Sequence, residues 1–229
     1  MGHKITNLAP SLTAFTLADE WLRELAGVSF EKVKLKFIGK DKYEFTGPLM
    51  FTHKGVTGPA IFALSAMSAF EIVNKGETAK LEMDFFPDMS HEDLNAELKK
   101  VIAGSPKKQF HNALGRLIPN SFARQLCIHL AIPSHKRNNE LSKKEINRAL
   151  QLLKQLPLTI IGRSPGEEFV TAGGVDISEV DSKNMQSKIT PGLYFAGEIL
   201  NIDGFTGGYN LQAAWAAGRL VGESITENL

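Results

Sequence analysis

Residues 90–156 carry the pattern that most limits what this chain can become. Ser90-His-Glu-Asp93 offers an N-cap hydroxyl with acids in the following turn, and Leu94, Leu98, Val101 and Ile102 recur at helical spacing. Three more helical stretches are expected over 107–117, 121–130 and 142–156, punctuated by Pro106, Pro119 and Pro133. The flanks read differently. Leu81, Met83 and Phe85 alternate with Lys80, Glu82 and Asp84, the period of a half-buried strand. Leu158-Thr-Ile-Ile161 returns to β-branched texture before Gly162. A helical block of about seventy residues between strand-rich flanks implies a β-structure carrying a helical insertion.

Upstream, residues 5–17 lean to strand. Asp19-Glu20-Trp21-Leu22-Arg23-Glu24-Leu25 reads as a short helix stopped by Gly27. Val33-Lys-Leu-Lys-Phe37 alternates apolar and basic residues, and Tyr43 to Phe45 answers it across a Gly39-Lys-Asp-Lys turn. Leu49-Met-Phe51 reads as a further short strand. It leads into the loop His53-Lys-Gly-Val-Thr-Gly-Pro59 and a helix from Pro59 to Ile72, with proline at the first helical position.

Several function classes drop out. Lys+Arg 26 against Asp+Glu 25 makes no net electrostatic case for nucleic acid or an anionic membrane. Lys107, Lys108, Arg116, Arg124, Lys136 and Arg137 make the helical part locally basic. With no interleaved aromatics this reads as a solvated face, and no nucleic-acid partner is expected. No run of eighteen apolar residues and no charged-then-apolar leader occurs, so no membrane partner is expected either. The single Cys127 sits in an apolar helical stretch as an inert thiol and fits a reducing cytoplasm. None of the six histidines stands at ligand spacing to another histidine or to the cysteine, so no metal site is expected. His53, in a glycine-bearing loop, reads as a hydrogen-bonding loop residue.

The last forty residues hold the candidate chemistry. Gly192-Leu-Tyr-Phe-Ala-Gly197 reads as a buried strand, followed by a polar loop over 198–208 and a small-residue helix over 209–225. Glycines at 204, 207 and 208 strip side chains from the start of that helix, whose free amides can seat an anionic or electron-rich group. Leu211, Trp215 and Leu220 are expected to be buried, with Ala214 and Gly218 in close packing.

The string Gly192-Leu-Tyr-Phe-Ala-Gly-Glu198, then Asp203-Gly204, then Thr206-Gly-Gly-Tyr-Asn-Leu-Gln212 resembles the C-terminal FAD-binding segment of the BaiN/YhiN-type (aminoacetone-oxidase-like) NAD(P)/FAD-dependent bacterial flavoproteins. Thr171-Ala-Gly-Gly-Val175, Glu179-Val-Asp-Ser182 and Gly47-Pro-Leu-Met-Phe-Thr-His53 resemble the same family, so the likeness covers nearly the whole chain. It implies a mixed α/β fold in three parts. A β-barrel-like domain takes 5–88 and 157–170, a helical subdomain 89–156, and the C-terminal part of a Rossmann-like FAD-binding domain 171–229. It also implies a cofactor-binding set of Thr171, Gly173, Gly174, Val175, Gly197, Glu198, Asp203, Gly207, Gly208, Tyr209, Asn210 and Leu211. Asp203 would bond ribityl hydroxyls, the amides of Gly208 to Asn210 would face the pyrimidine edge of the flavin, and residues 171–175 would approach the ring from the other side.

The family's Gly-x-Gly-x-x-Gly turn for the ADP part of FAD does not occur in these residues. The expectation is therefore the middle and C-terminal portion of an FAD-dependent oxidoreductase acting on a small organic substrate, with NADH or NADPH as electron donor. The chain alone is expected to be inactive, to bind FAD weakly or not at all, and either to self-associate where strand edges and apolar faces lack cover or to let its last forty residues pack in a way unlike the family's. No residue stands out as a general acid or base. The alternative is a non-catalytic binding or interaction module.

Overall fold

Period-two burial builds the first of two units, Phe15–Ile61 with Val73–Gly162. In the computed structural model, which describes residues 1–71, 73, 76–164 and 169–227, β1 is Ala9–Ser11, β2 Phe15–Leu17, β3 Ser29–Ile38, β4 Lys42–Phe51, β5 Gly55–Thr57, β6 Ala79–Asp84, β7 Leu156–Arg163 and β8 Val170–Ala172. Six of these close a barrel in the order β2-β5-β4-β3-β6-β7. Val33, Leu35 and Phe37 of β3, Leu81 and Met83 of β6, and Leu156, Leu158 and Ile160 of β7 are buried. Lys34 and Lys36 alternate outward and meet Glu44 on the neighbouring strand. The long β3–β4 and β3–β6 ladders are antiparallel, with Leu35 opposite both Phe45 and Met83.

The sequence suggested two short strands at 43–45 and 49–51, but β4 runs unbroken from 42 to 51. Gly47 and Pro48 do not turn the chain. A side chain on Gly47 would meet the Ala60 Cβ at 3.5 Å, so glycine there lets the next helix lie close to the strand. The short helix expected at 19–25 is a 3-10 turn, Glu20–Leu25, and Gly27 leaves it at a φ of +87°.

The helices are α1 Pro59–Met67, α2 His91–Ala103, α3 Phe110–Leu114, α4 Asn120–His129, α5 Lys143–Lys154 and α6 Gly207–Glu227. The helix expected to reach Ile72 ends at Met67; Ile72 itself lies outside the described residues. Both α2 and α5 open with complete capping boxes, Ser90 with Asp93 and Ser142 with Glu145. α3 is shorter than the expected 107–117. Lys107 and Lys108 are drawn into a turn, because Gln109 bridges Arg137 and the Lys108 carbonyl accepts from the Asn138 N–H at 2.9 Å. Phe122 of α4, fully buried, touches Phe30, Phe51, Phe85 and Trp21. This aromatic cluster fixes the helical array to the barrel. Cys127 is buried, and burial pushes its thiol up to about 12, as an inert core thiol requires.

The second unit comprises Met1–Ala14, Phe62–Ile72 and Arg163–Leu229. β1 pairs antiparallel with β8, Ala9 opposite Ala172 and Ser11 opposite Val170. Val175, Val180, Met185, Phe195, Leu200 and Ala217 form its core, with Leu193, Leu220 and Val221 against it. The expected strand 192–197 does not form. Tyr194 makes one isolated bridge to Gln186, the Leu193 carbonyl accepts from Ser187, and the Phe195 N–H donates to Met185. Met185 stands at a φ of +61°, and this kink in the facing segment stops a ladder from propagating. The half-buried Arg163 guanidinium donates to the carbonyls and hydroxyls of Ser65 and Ser68 around the end of α1.

Candidate functional site

Asn210 organises the loop that enters α6. Its Oδ1 accepts from the Gly204 N–H, and its Nδ2 donates to the Gly204 and Thr206 carbonyls, each at 3.0 Å. The side chain is buried, so its amide is spent on shaping the loop. Gly204 belongs to the same packing, because a Cβ there would sit 2.7 Å from the Tyr209 Cβ.

Gly207 and Gly208 are different. A Cβ on Gly207 would meet nothing within 4 Å, and one on Gly208 only the Thr206 hydroxyl at 3.8 Å. Neither has a positive φ. Nothing among the described residues requires glycine at either position. They leave the amide end of a 21-residue helix bare, with no acid in its first turn.

Asp203 lies beside this end. Its Oδ2 accepts from the Ser11 hydroxyl at 2.7 Å, while Oδ1 is buried with no hydrogen-bond partner among the described residues. Burial pushes the carboxyl pKa up, and the Ser11 bond opposes it. A buried acceptor without a donor costs free energy that a ligand hydroxyl would recover. Ser11 was missed by sequence reasoning. It stands 192 residues from Asp203 and reaches it from β1, so no local signal could have paired them.

Residues 171–175 form the second cluster. Thr171 is exposed on β8 opposite Pro10. Gly173 and Gly174 take φ values of +94° and +135°. A Cβ on Gly173 would run into the Asn7 carbonyl, and one on Gly174 into the Ile199 carbonyl. The Thr6 N–H donates to the Gly174 carbonyl at 2.8 Å and the Thr6 hydroxyl accepts from the Gly174 N–H at 3.0 Å. Val175 bridges Ile5 on one side and Leu200 on the other, with its N–H donating to the Ile199 carbonyl at 2.8 Å. Both glycines thus have an internal reason, the close crossing of three backbone segments. Those bonds also bring residues 173–175 to the 3-10 turn Gly197–Ile199, on which Glu198 is exposed.

Tyr209, Leu211 and Trp215 are exposed, against the expectation that Leu211 and Trp215 are buried. Asn210, Ala217 and Ser224 recur every seven residues and form the buried stripe of α6; Leu211 and Trp215 fall on its far side. Leu220 does pack on the core, from the edge of the stripe. Gly218 is likewise open, with nothing within 4 Å of a Cβ, so the expected close packing there is absent.

His53 is exposed in the turn between β4 and β5. The glycines beside it serve the barrel: a Cβ on Gly55 would strike the Phe15 carbonyl, and Gly58 stands at a φ of +112°. No group of three or more His, Cys, Asp or Glu that could hold a metal occurs among the described residues. Among them, too, no helix is long and apolar enough to cross a membrane.

Three relatives align along most of the chain. It is 31% identical over 219 residues to the ribosomal RNA dihydrouridine synthase of Haemophilus influenzae, covering 94% of this chain and 51% of that protein. It is 29% identical over 233 residues to the 3-dehydro-bile acid delta(4,6)-reductase of Clostridium scindens, covering 99% and 56%. It is 30% identical over 226 residues to the ribosomal RNA dihydrouridine synthase of Escherichia coli, covering 94% and 54%. The chain spans about half the length of these curated relatives. The family described as "HI0933-like protein barrel and H2TH domain" matches residues 9–169, the stretch that holds the closed barrel and the helices α2 to α5. By that match the chain belongs to the HI0933-like family.

Proposed function

We propose that this chain is the barrel-bearing and C-terminal portion of an FAD-dependent reductase, divided into 5–88 with 157–170, 89–156 and 171–229. Two of the relatives are named for the synthesis of dihydrouridine in ribosomal RNA and one for the reduction of a 3-dehydro-bile acid. The same class of reaction is the reading for this protein, with a small organic ring as substrate and NADH or NADPH as donor. When bound, the flavin supplies hydride transfer between donor and substrate.

The observation that carries the reading is the Asp203 carboxylate, with one buried oxygen unpartnered, beside a helix start that two sterically unneeded glycines leave bare. An acceptor without a donor suits the ribityl hydroxyls, and free amides suit the electron-rich edge of the ring. In this reading Asp203, Gly207, Gly208 and Tyr209 hold the cofactor directly. Asn210 shapes the loop, and Gly173, Gly174 and Val175 position the backbone of 197–200. Thr171, Glu198 and Leu211 are exposed and free to line the same site. The exposed Leu211 and Trp215 favour, as a second reading, a surface through which the chain self-associates.

The test is an NMR titration of the isotope-labelled chain with FAD, FMN and riboflavin. The expected result is weak binding that shifts the amides of 203–211 and 171–175 and is lost in Asp203→Ala and Gly208→Val. No shift in those amides at millimolar flavin would sink the reading. Tight binding of FAD at micromolar concentration would overturn the part of it that makes this portion alone a weak binder.

A further inference from the structure

Leu12 stands at a φ of +51°, in the left-handed region that residues other than glycine, asparagine and aspartate seldom enter. It is buried and packs with Ala66 and Val170, with Phe62 against them. A strained backbone persists inside a core only where its surroundings over-determine it. Here the determining contacts are hydrogen bonds on either side of the kink.

In an unbroken strand Ser11 and Thr13 would share one face. The turn at Leu12 ends β1 at Ser11 and parts the two hydroxyls. Ser11 donates to Asp203 Oδ2 at 2.7 Å, whereas Thr13 donates to the Ser164 carbonyl at 3.3 Å. The Thr13 N–H donates to Ser65 Oγ at 2.9 Å, and the Arg163 guanidinium donates to the same Oγ at 3.1 Å. The Ser164 N–H donates to the Ala14 carbonyl at 3.0 Å and closes the clamp. On its other side Ser11 is fixed in register, opposite Val170 of β8. Ser11, Thr13 and Ser65 are fully buried.

Asp203 has no such framework. It lies between the turn Gly197–Ile199 and α6, in neither a helix nor a strand. The Ser11 bond is the one hydrogen bond its carboxylate makes among the described residues, and Oδ1 is buried without a donor. A carboxylate with one oxygen fixed presents the other in one direction; with neither fixed it turns about two torsions. Ser11 is therefore the rigid member of the pair and Asp203 the guided one.

We propose that Ser11 is a positioning residue of the cofactor site: the kink at Leu12, clamped through Thr13 by Ser65 and Arg163, holds its hydroxyl on Asp203 Oδ2 and so aims Oδ1 at a ligand hydroxyl. That a ligand hydroxyl is received there rests on the flavin reading; the aim of the carboxylate does not, and it is measured in the free protein. The same bond keeps the carboxylate in its accepting form, since burial pushes the carboxyl up and the Ser11 hydroxyl opposes it.

The experiment uses the whole isotope-labelled chain without flavin. Hα–Hβ couplings report the Asp203 rotamer. The side-chain carboxyl carbon shift, identified by its absence in Asp203→Asn, is followed against pH. Wild type is expected to show one rotamer. Ser11→Ala should give averaged couplings and a carboxyl midpoint moved upward, because the donor that opposes burial is gone. Ser11→Thr, which keeps the hydroxyl, should restore a single rotamer. Ser65→Ala removes a hydroxyl that bonds to Thr13 and Arg163 rather than to Asp203, and should average the couplings in part. With riboflavin added, Ser11→Ala should weaken binding about tenfold, the order of one charge-assisted hydrogen bond, and Ser11→Thr less than about threefold. Melting by circular dichroism confirms that each variant folds. A wild-type rotamer in Ser11→Ala, a midpoint there that stays or falls, unchanged couplings in Ser65→Ala, or a folded Ser11→Thr that leaves Asp203 averaged would each overturn the proposal. Absence of riboflavin binding by wild type would sink the flavin reading and leave the rotamer and the midpoint to decide this one.

Discussion

Truncating Phe122 to alanine should uncouple the helical array from the barrel. The ring is fully buried and meets Phe85 at 4.8 Å, Phe30 edge-on at 5.2 Å, Phe51 at 5.8 Å and Trp21 at 6.3 Å between centroids. Removing a buried phenyl costs about 3–5 kcal/mol in lost transfer energy and cavity. The two closest ring pairs add roughly 0.5–1.5 kcal/mol each beyond area. Relaxation of four surrounding rings into the void recovers part, which leaves about 4–5 kcal/mol. For a unit of this size that lowers Tm by roughly 12–20 °C. The assay is urea denaturation followed by Trp21 fluorescence, with Trp215→Phe as background because Trp215 is exposed and would dilute the signal. Phe122→Leu, which keeps most of the volume but loses the ring pairs, should cost about 1–2 kcal/mol. A loss below about 1.5 kcal/mol for Phe122→Ala, or equal losses for the two variants, would show that the cluster does not hold the helices to the barrel.

Glu145 is held at about 2 by the Lys136 ion pair and by the Ser142 cap, against burial, from an ordinary 4.5. A depressed carboxyl stabilises the fold above the unfolded value. About 1–2 kcal/mol, after allowance for solvent screening, should therefore separate wild type from Glu145→Gln at pH 7 and vanish as pH falls from 4.5 to 2; a gap that persists at pH 2 refutes the pairing. Gly173→Ala should cost about 2–4 kcal/mol in thermal melts, because the methyl meets the Asn7 carbonyl at a positive φ. Gly192→Ala, at a φ of +75° but in open space, should cost only about 1 kcal/mol, and equal costs would discredit the clash. Gly218→Ala should raise stability by about 0.5–1 kcal/mol through helix propensity, and a destabilised variant would mean that this side of α6 is packed after all.

Much of the secondary structure was legible because its causes are local. Alternation of Leu81 and Met83 with Lys80 and Glu82 marks β6 whatever it pairs with. Ser90 with Asp93 marks the start of α2, and Ser142 with Glu145 that of α5, because each cap closes within one turn. The motif strings likewise pointed to the family, and the match over residues 9–169 bears out the barrel with its helices. The failures share a cause. Residues 192–197 are apolar and aromatic enough for a strand, but a strand needs a regular partner, and Met185 at a positive φ denies it one. Leu211 and Trp215 look like core residues, but the stripe that meets the core is set by Asn210, Ala217 and Ser224.

By itself the sequence determined where the chain bends, caps and alternates, since these depend on neighbours a few residues apart. Only the tertiary structure decided that six strands close into a barrel and that Ser11 takes one oxygen of Asp203 and leaves the other bare. It also decided that Gly173 and Gly174 serve backbone crossings, whereas Gly207 and Gly208 serve nothing inside the described chain. These outcomes depend on which distant backbone segments approach. A residue's identity limits that choice only through its volume and hydrogen bonds once the approach is made.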